Sequence, residues 1–186
     1  MALPYRPQQV RLGAVIAVAI AAGLGVWLGT RGSDHPARIV PLGGATGKQV
    51  VPITATGLET LASVLARPIY WAGQMPGATY ELTRLADGQV FLRYLPAGAK
   101  AGANIEALTV GTYPVKDAFA ATQRIAARPD SVGVPVTGGA IAFYARSAPS
   151  SVYLAFPGSN VQIEVYDPLP TQARKLVTTG QIVTVG

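Results

Sequence analysis

Three acidic side chains stand where they could do chemistry. Glu81, Glu164 and Asp167 fall in or beside segments with strand-like alternation. A pair of carboxylates, one protonated and one ionised, is the working equipment of a glycoside hydrolase. That chemistry needs the two groups to face each other across a deep cleft, which about 140 residues with short connections rarely supply. Asp167, followed by Pro168, is also placed to cap a helix. A carboxylate-dependent hydrolase is therefore the least favoured function, and the chain reads as no enzyme.

Other catalytic sets are missing from the sequence. There is no cysteine, which removes thiol catalysis, disulfides and cysteine-ligated metals. The single histidine, His35, lies ahead of the patterned region, so neither a Ser-His-Asp triad nor a His-rich metal site can be built there. Neither Ser-x-x-Lys nor Gly-x-Ser-x-Gly occurs. Gly47-Lys48 is no phosphate loop, because Leu42 replaces the first glycine and Gln49 the Ser or Thr. No cofactor and no metal is expected.

Binding chemistry remains. Alternation places Tyr144, Arg146, Tyr153, Gln162, Glu164 and Tyr166 on one face of the later strands, with Glu81, Thr83 and Arg93 as candidates for the same face. Tyrosine joins an apolar body to a polar tip, which suits a glycan, a peptide or another small ligand. The same pattern also describes a solvated or helix-covered face held by cross-strand pairs such as Arg146 with Glu164. Ile141, Phe143, Val152, Leu154, Phe156, Val161, Ile163 and Val165 alternate to the other face and read as core. In the aromatic stretch Arg67–Arg84, Trp71 is expected in the core, and Tyr70, on the opposite side, is a binding candidate.

These residues need elements to carry them. Thr56-Gly-Leu-Glu59 is a capping box that opens a helix with Leu58, Leu61, Val64 and Leu65 inward, and Pro68 stops it. A short strand at Ile69–Trp71 follows, then a hairpin whose two arms flank Ala86-Asp87-Gly88. Leu108–Tyr113 reads as a strand and Pro114 as the start of a second helix, with Val115, Ala118, Phe119, Thr122, Ile125 and Ala126 buried. Three alternating segments come next, with Pro157–Asn160 turning between the last two. Asp167 caps a third helix with Leu169, Ala173, Leu176 and Val177 inward; Gly180 ends it and a last strand follows. The two halves share a rhythm of helix and strands. The predicted class is α+β, an antiparallel sheet with about three helices packed on a face.

Ahead of this domain, residues 12–30 carry no charge and lie between Arg11 and Arg31. At about 1.5 Å per residue they span roughly 28 Å, which matches a bilayer core. The segment reads as a transmembrane helix; a signal peptide cleaved near Ala19-Ile20-Ala21 is the rival. The expected organisation is a tail at 1–11, the helix at 12–30, a Gly/Pro-rich linker at 31–48 and the domain at 49–186. Of the formal charge of +6, most sits in residues 1–48, flanking the apolar segment, so no nucleic-acid partner is expected. Gly13, Ala17, Ala21, Gly25 and Gly29 form a small-residue stripe at four-residue spacing, the kind of surface that packs against another helix in lipid. A short tail before a long domain predicts a signal anchor, N-terminus inside and domain outside.

At YWAG, Ala78–Arg84, Phe91–Pro96, Leu108–Tyr113, Val152–Gly158 and Val165–Pro168 the chain resembles uncharacterised single-pass membrane proteins of high-GC bacteria. Its order of elements is also similar to Mog1/PsbP-like domains, a resemblance that implies a non-enzymatic binding or assembly module. The expected function is thus a membrane-anchored extracytoplasmic interaction or assembly subunit of the cell envelope, with the bilayer and another envelope protein as partners. The alternative is a small-ligand or glycan-binding module.

Overall fold

Alternating apolar and polar side chains, cut by Gly- and Pro-rich turns, give the described residues ten short strands. The structure is a computed structural model that describes residues 50–65 and 67–186. In chain order the elements are β1 (Val51–Ile53), α1 (Ala55–Leu65), β2 (Tyr70–Trp71), β3 (Thr79–Arg84), β4 (Val90–Leu95) and β5 (Thr109–Pro114). Then come α2 (Ala118–Ala126), β6 (Ser131–Gly133), β7 (Ile141–Ala145), β8 (Ala148–Ala155), β9 (Val161–Tyr166), α3 (Pro170–Thr178) and β10 (Val183–Thr184).

Eight strands form one sheet in the order β1-β3-β4-β5-β9-β8-β7-β6, and every pairing in it is antiparallel. The central pair is β5 with β9, in register from Thr109 opposite Tyr166 to Pro114 opposite Val161. β2 and β10 make a separate two-stranded ribbon. The predicted antiparallel sheet with three helices is therefore present.

Helices cover one face of the sheet and the β6–β9 part of the other. On one, Leu82, Leu92, Val110, Val152, Leu154, Ile163 and Val165 join Leu58 of α1, Ile69, Ala173, Leu176 and Val177 of α3, and Ile182 in one apolar core. On the other, Ala118, Ala121, Thr122 and Ile125 of α2 are buried, and Gln162 Nε2 donates to Thr122 Oγ1 at 2.9 Å. Along β8 and β9 the sheet is dry on both sides, which blurs the contrast from which alternation tells inside from outside.

Several local expectations change. Thr54, not Thr56, caps α1: its Oγ1 accepts the Gly57 N–H at 3.0 Å. Val64 is 75% exposed, so α1 presents a narrower face to the core. Pro114 closes β5, where it pairs with Val161, and α2 starts only at Ala118. Asp167 Oδ1 accepts the Leu169 N–H at 2.8 Å, an Asx turn before α3, while Leu169 itself is 66% exposed. Tyr70 is buried, and Trp71, expected in the core, is only partly so. The strands β1 and β6 were not anticipated; each has three residues.

The membrane reading is corrected. Among the described residues no helix is long and apolar enough to cross a bilayer, and the longest of the three, α1, has 11 residues. The helix expected over 12–30, with its Gly13, Ala17, Ala21, Gly25 and Gly29 stripe, lies outside the described residues. The single-pass signal anchor, the lipid bilayer and envelope partners, the inside-to-outside topology and the membrane-anchored assembly role thus lose their support.

Candidate functional site

Tyr70 is set in place by three neighbours. Its backbone N–H donates to Thr112 Oγ1 on β5 at 3.1 Å, its strand position faces Thr184 across the β2–β10 ribbon, and its ring stacks on Phe156 at 5.7 Å between centroids. Tyr70 is 8% exposed as a residue; its hydroxyl makes no hydrogen bond to the described residues and is open to solvent. Burial raises the phenol above its usual range, so the group stays protonated and remains a donor.

Tyr70 lines a cavity of about 360 Å³. Leu154 of β8, Phe156 just after it and Val177 of α3 line it. One wall is Val136–Ala140, between β6 and β7; the other is Gly180–Thr184, the turn out of α3 and β10. The walls approach where Gly180, with φ near +68°, leaves room for Thr137: a Cβ there would stand 3.3 Å from Thr137 Oγ1. The lining is aliphatic and aromatic, with polar atoms from Tyr70, Thr137, Thr184 and the backbone. Such a mixture of apolar walls and a few fixed polar groups is what small-molecule sites are made of.

The other candidates lie apart from this cavity. Glu164 is buried under α2 on the opposite face of the sheet, where the hydroxyls of Tyr113 and Tyr153 both donate to its carboxylate, the latter at 3.1 Å. Burial holds its carboxyl above the ordinary range against the pull of these donors, and burial together with the Glu164 charge raises both phenols. Phe143 stacks on Tyr153 and Phe91 meets Tyr113 edge-on, which closes the cluster. Tyr166 is half-buried on the same face. Arg146 is exposed in the turn after β7, so the expected Arg146–Glu164 pair does not form.

Tyr144 is on the core face instead, beneath Arg174 of α3, whose guanidinium carbon is 5.1 Å from the ring centre. Phe143, assigned to the core with Val152, faces Tyr153. The cause is a register irregularity between Phe143 and Ala145. The turn pairs Ala145 with Ala148, but Phe143 pairs with Tyr153, an odd slip that exchanges the two faces.

Glu81 and Arg93 are opposite one another on β3 and β4 and form an ion pair at 2.6 Å. Glu81 also accepts the Gly102 N–H, and Arg93 donates to the carbonyls of Ala103 and Ile105. The pair is a clamp on the loop between β4 and β5. Glu81 and Glu164 are three strands apart in the sheet, roughly 14 Å at the usual spacing of about 4.8 Å, and each is occupied by its own partners. Among the described residues no three His, Cys, Asp or Glu side chains gather around a metal-sized space.

Sequence reasoning missed Tyr113, Gly111 and the cavity walls. Gly111 was the available signal for the first two: a glycine inside a strand marks a close approach, and Tyr113 makes it. No protein-family model, no curated protein and no solved structure matches this chain. The resemblance to single-pass membrane proteins and the similarity to Mog1/PsbP-like domains thus gain no support, and function must be argued from the site alone.

Proposed function

We propose that this protein is a non-catalytic module that binds a small ligand in the cavity beside Tyr70. The observation that carries this reading is a largely buried tyrosine, its hydroxyl solvent-accessible and uncommitted, in the lining of a mainly apolar cavity. Small-molecule sites combine apolar walls with a few polar groups fixed in place, and Tyr70 is such a group, held by its backbone bond to Thr112 and its stack on Phe156. The separation of Glu81 from Glu164 supports the non-catalytic part, since paired carboxylates act across about 5–9.5 Å. A glycan fits less well: it carries many hydroxyls, and among the described residues the cavity offers three polar side chains, those of Tyr70, Thr137 and Thr184.

The test is a thermal-stability screen of a small-molecule collection against the full-length chain and the Ala140→Trp variant. A ligand at a hundred times its Kd stabilises by about 2.7 kcal/mol. In a domain of this size that raises Tm by several degrees. Compounds that shift the wild type should lose the effect when tryptophan fills the cavity. Shifts that survive Ala140→Trp, or an absence of any shift, would count against the reading.

A further inference from the structure

Among the described residues that line the cavity, Tyr70 alone carries an ionisable group. A charged ligand would give up its hydration there without meeting a counter-ion, which is strongly unfavourable. The Tyr70 hydroxyl sets a second condition. A phenol is a donor at neutral pH, and a ligand that covered it without offering an acceptor would leave a buried donor unsatisfied. Its direction is also fixed in advance, by the Thr112 bond to its backbone, the pairing with Thr184 and the stack on Phe156.

Resting on the ligand-binding reading above, we propose that the cavity selects an uncharged, mainly apolar molecule with a carbonyl or hydroxyl oxygen that accepts a hydrogen bond from Tyr70. The apolar body lies against Leu154, Phe156, Val177 and Ile182, and the oxygen is its one anchor. Selectivity comes from two exclusions: ions find no partner, and pure hydrocarbons leave the phenol unbonded.

Four probes of similar size separate these conditions: acetophenone, ethylbenzene, benzoate and benzylammonium. Each is titrated into the full-length protein while the amide signals of Gly138 and Gly180 and the methyl signals of Ile182 are followed by NMR. Acetophenone should bind most tightly. Ethylbenzene should be weaker by about 3- to 10-fold, the value of one hydrogen bond, and neither ion should move these signals. Tyr70→Phe should bring acetophenone down to the ethylbenzene level. Equal binding of either ion or of ethylbenzene, or an unchanged acetophenone affinity in Tyr70→Phe, overturns the assignment while leaving a binding cavity. If no probe moves these signals, the ligand-binding reading falls and the assignment with it.

Discussion

The ring of Tyr113 occupies the space that a side chain at Gly111 would need. A Cβ on Gly111 would lie 2.8 Å from the Tyr113 hydroxyl oxygen and 2.9–3.0 Å from two ring carbons. Gly111 is also directly opposite Glu164 on β9. The glycine thus opens the path by which the Tyr113 hydroxyl reaches the Glu164 carboxylate. Gly111→Ala should push the ring off its partner and cost about 1–3 kcal/mol, the usual penalty for overpacking. Gly133→Ala, where nothing lies within 4 Å, is the control and should be close to neutral. Urea unfolding of the two variants checks this, and equal stabilities would contradict the packing argument.

Glu164 makes stability depend on pH in a defined direction. Burial raises its carboxyl above the ordinary 4.5, so the folded protein holds the proton more tightly than the unfolded chain. Its contribution is therefore complete below about pH 4.5 and is lost as pH rises through the folded value. Glu164→Gln removes that titration. The wild type should lose ground against this variant as the pH of the unfolding experiment is raised from about 4 to 8. Parallel stability curves would show that burial does not raise the Glu164 carboxyl.

The Glu81–Arg93 pair should act on the loop at 96–107. Breaking a buried ion pair typically costs about 3–5 kcal/mol, but part of the Arg93 side chain is in water, so Glu81→Ala should cost roughly 2–3 kcal/mol. The loop should then loosen. Lys100 is exposed within it, and limited trypsin digestion should cut after Lys100 faster in Glu81→Ala than in the wild type. Unchanged cleavage would mean that the loop is held by something else.

Two tyrosines on the same side of the sheet should respond differently to loss of the hydroxyl. The Tyr94 oxygen accepts the Ala72 N–H at 2.7 Å, so Tyr94→Phe strands a buried donor and should cost about 1–3 kcal/mol. Tyr70 has no such partner among the described residues, and Tyr70→Phe should stay within about 0.5 kcal/mol of the wild type. Chemical denaturation of both variants distinguishes a hydroxyl used by the fold from one left free.

Much of this fold was legible in the sequence, and the failures have physical causes. The hairpin at Asp87-Gly88, the turn at Pro157–Asn160 and the inward side chains Ala173, Leu176 and Val177 follow from turn chemistry and helical spacing. The faces of β7 did not follow, because Ile141–Ala145 is apolar on both sides and an irregular register reversed the simple count from its turn. Tyr144, Tyr153 and Glu164 were grouped by alternation, yet they divide between the two faces of the sheet. The cavity was illegible because its walls come from residues 136–140 and 180–184, segments with no pattern of their own that tertiary packing brings together.

The most direct test of ligand binding is a crystal structure of the full-length protein soaked with the compound that most raises its Tm. The compound should occupy the cavity between Val136–Ala140 and β10, with an oxygen within about 3 Å of the Tyr70 hydroxyl. Density for the compound elsewhere, for instance beside Arg146 and Tyr166, with nothing against Tyr70, would contradict the assignment of this cavity as the site.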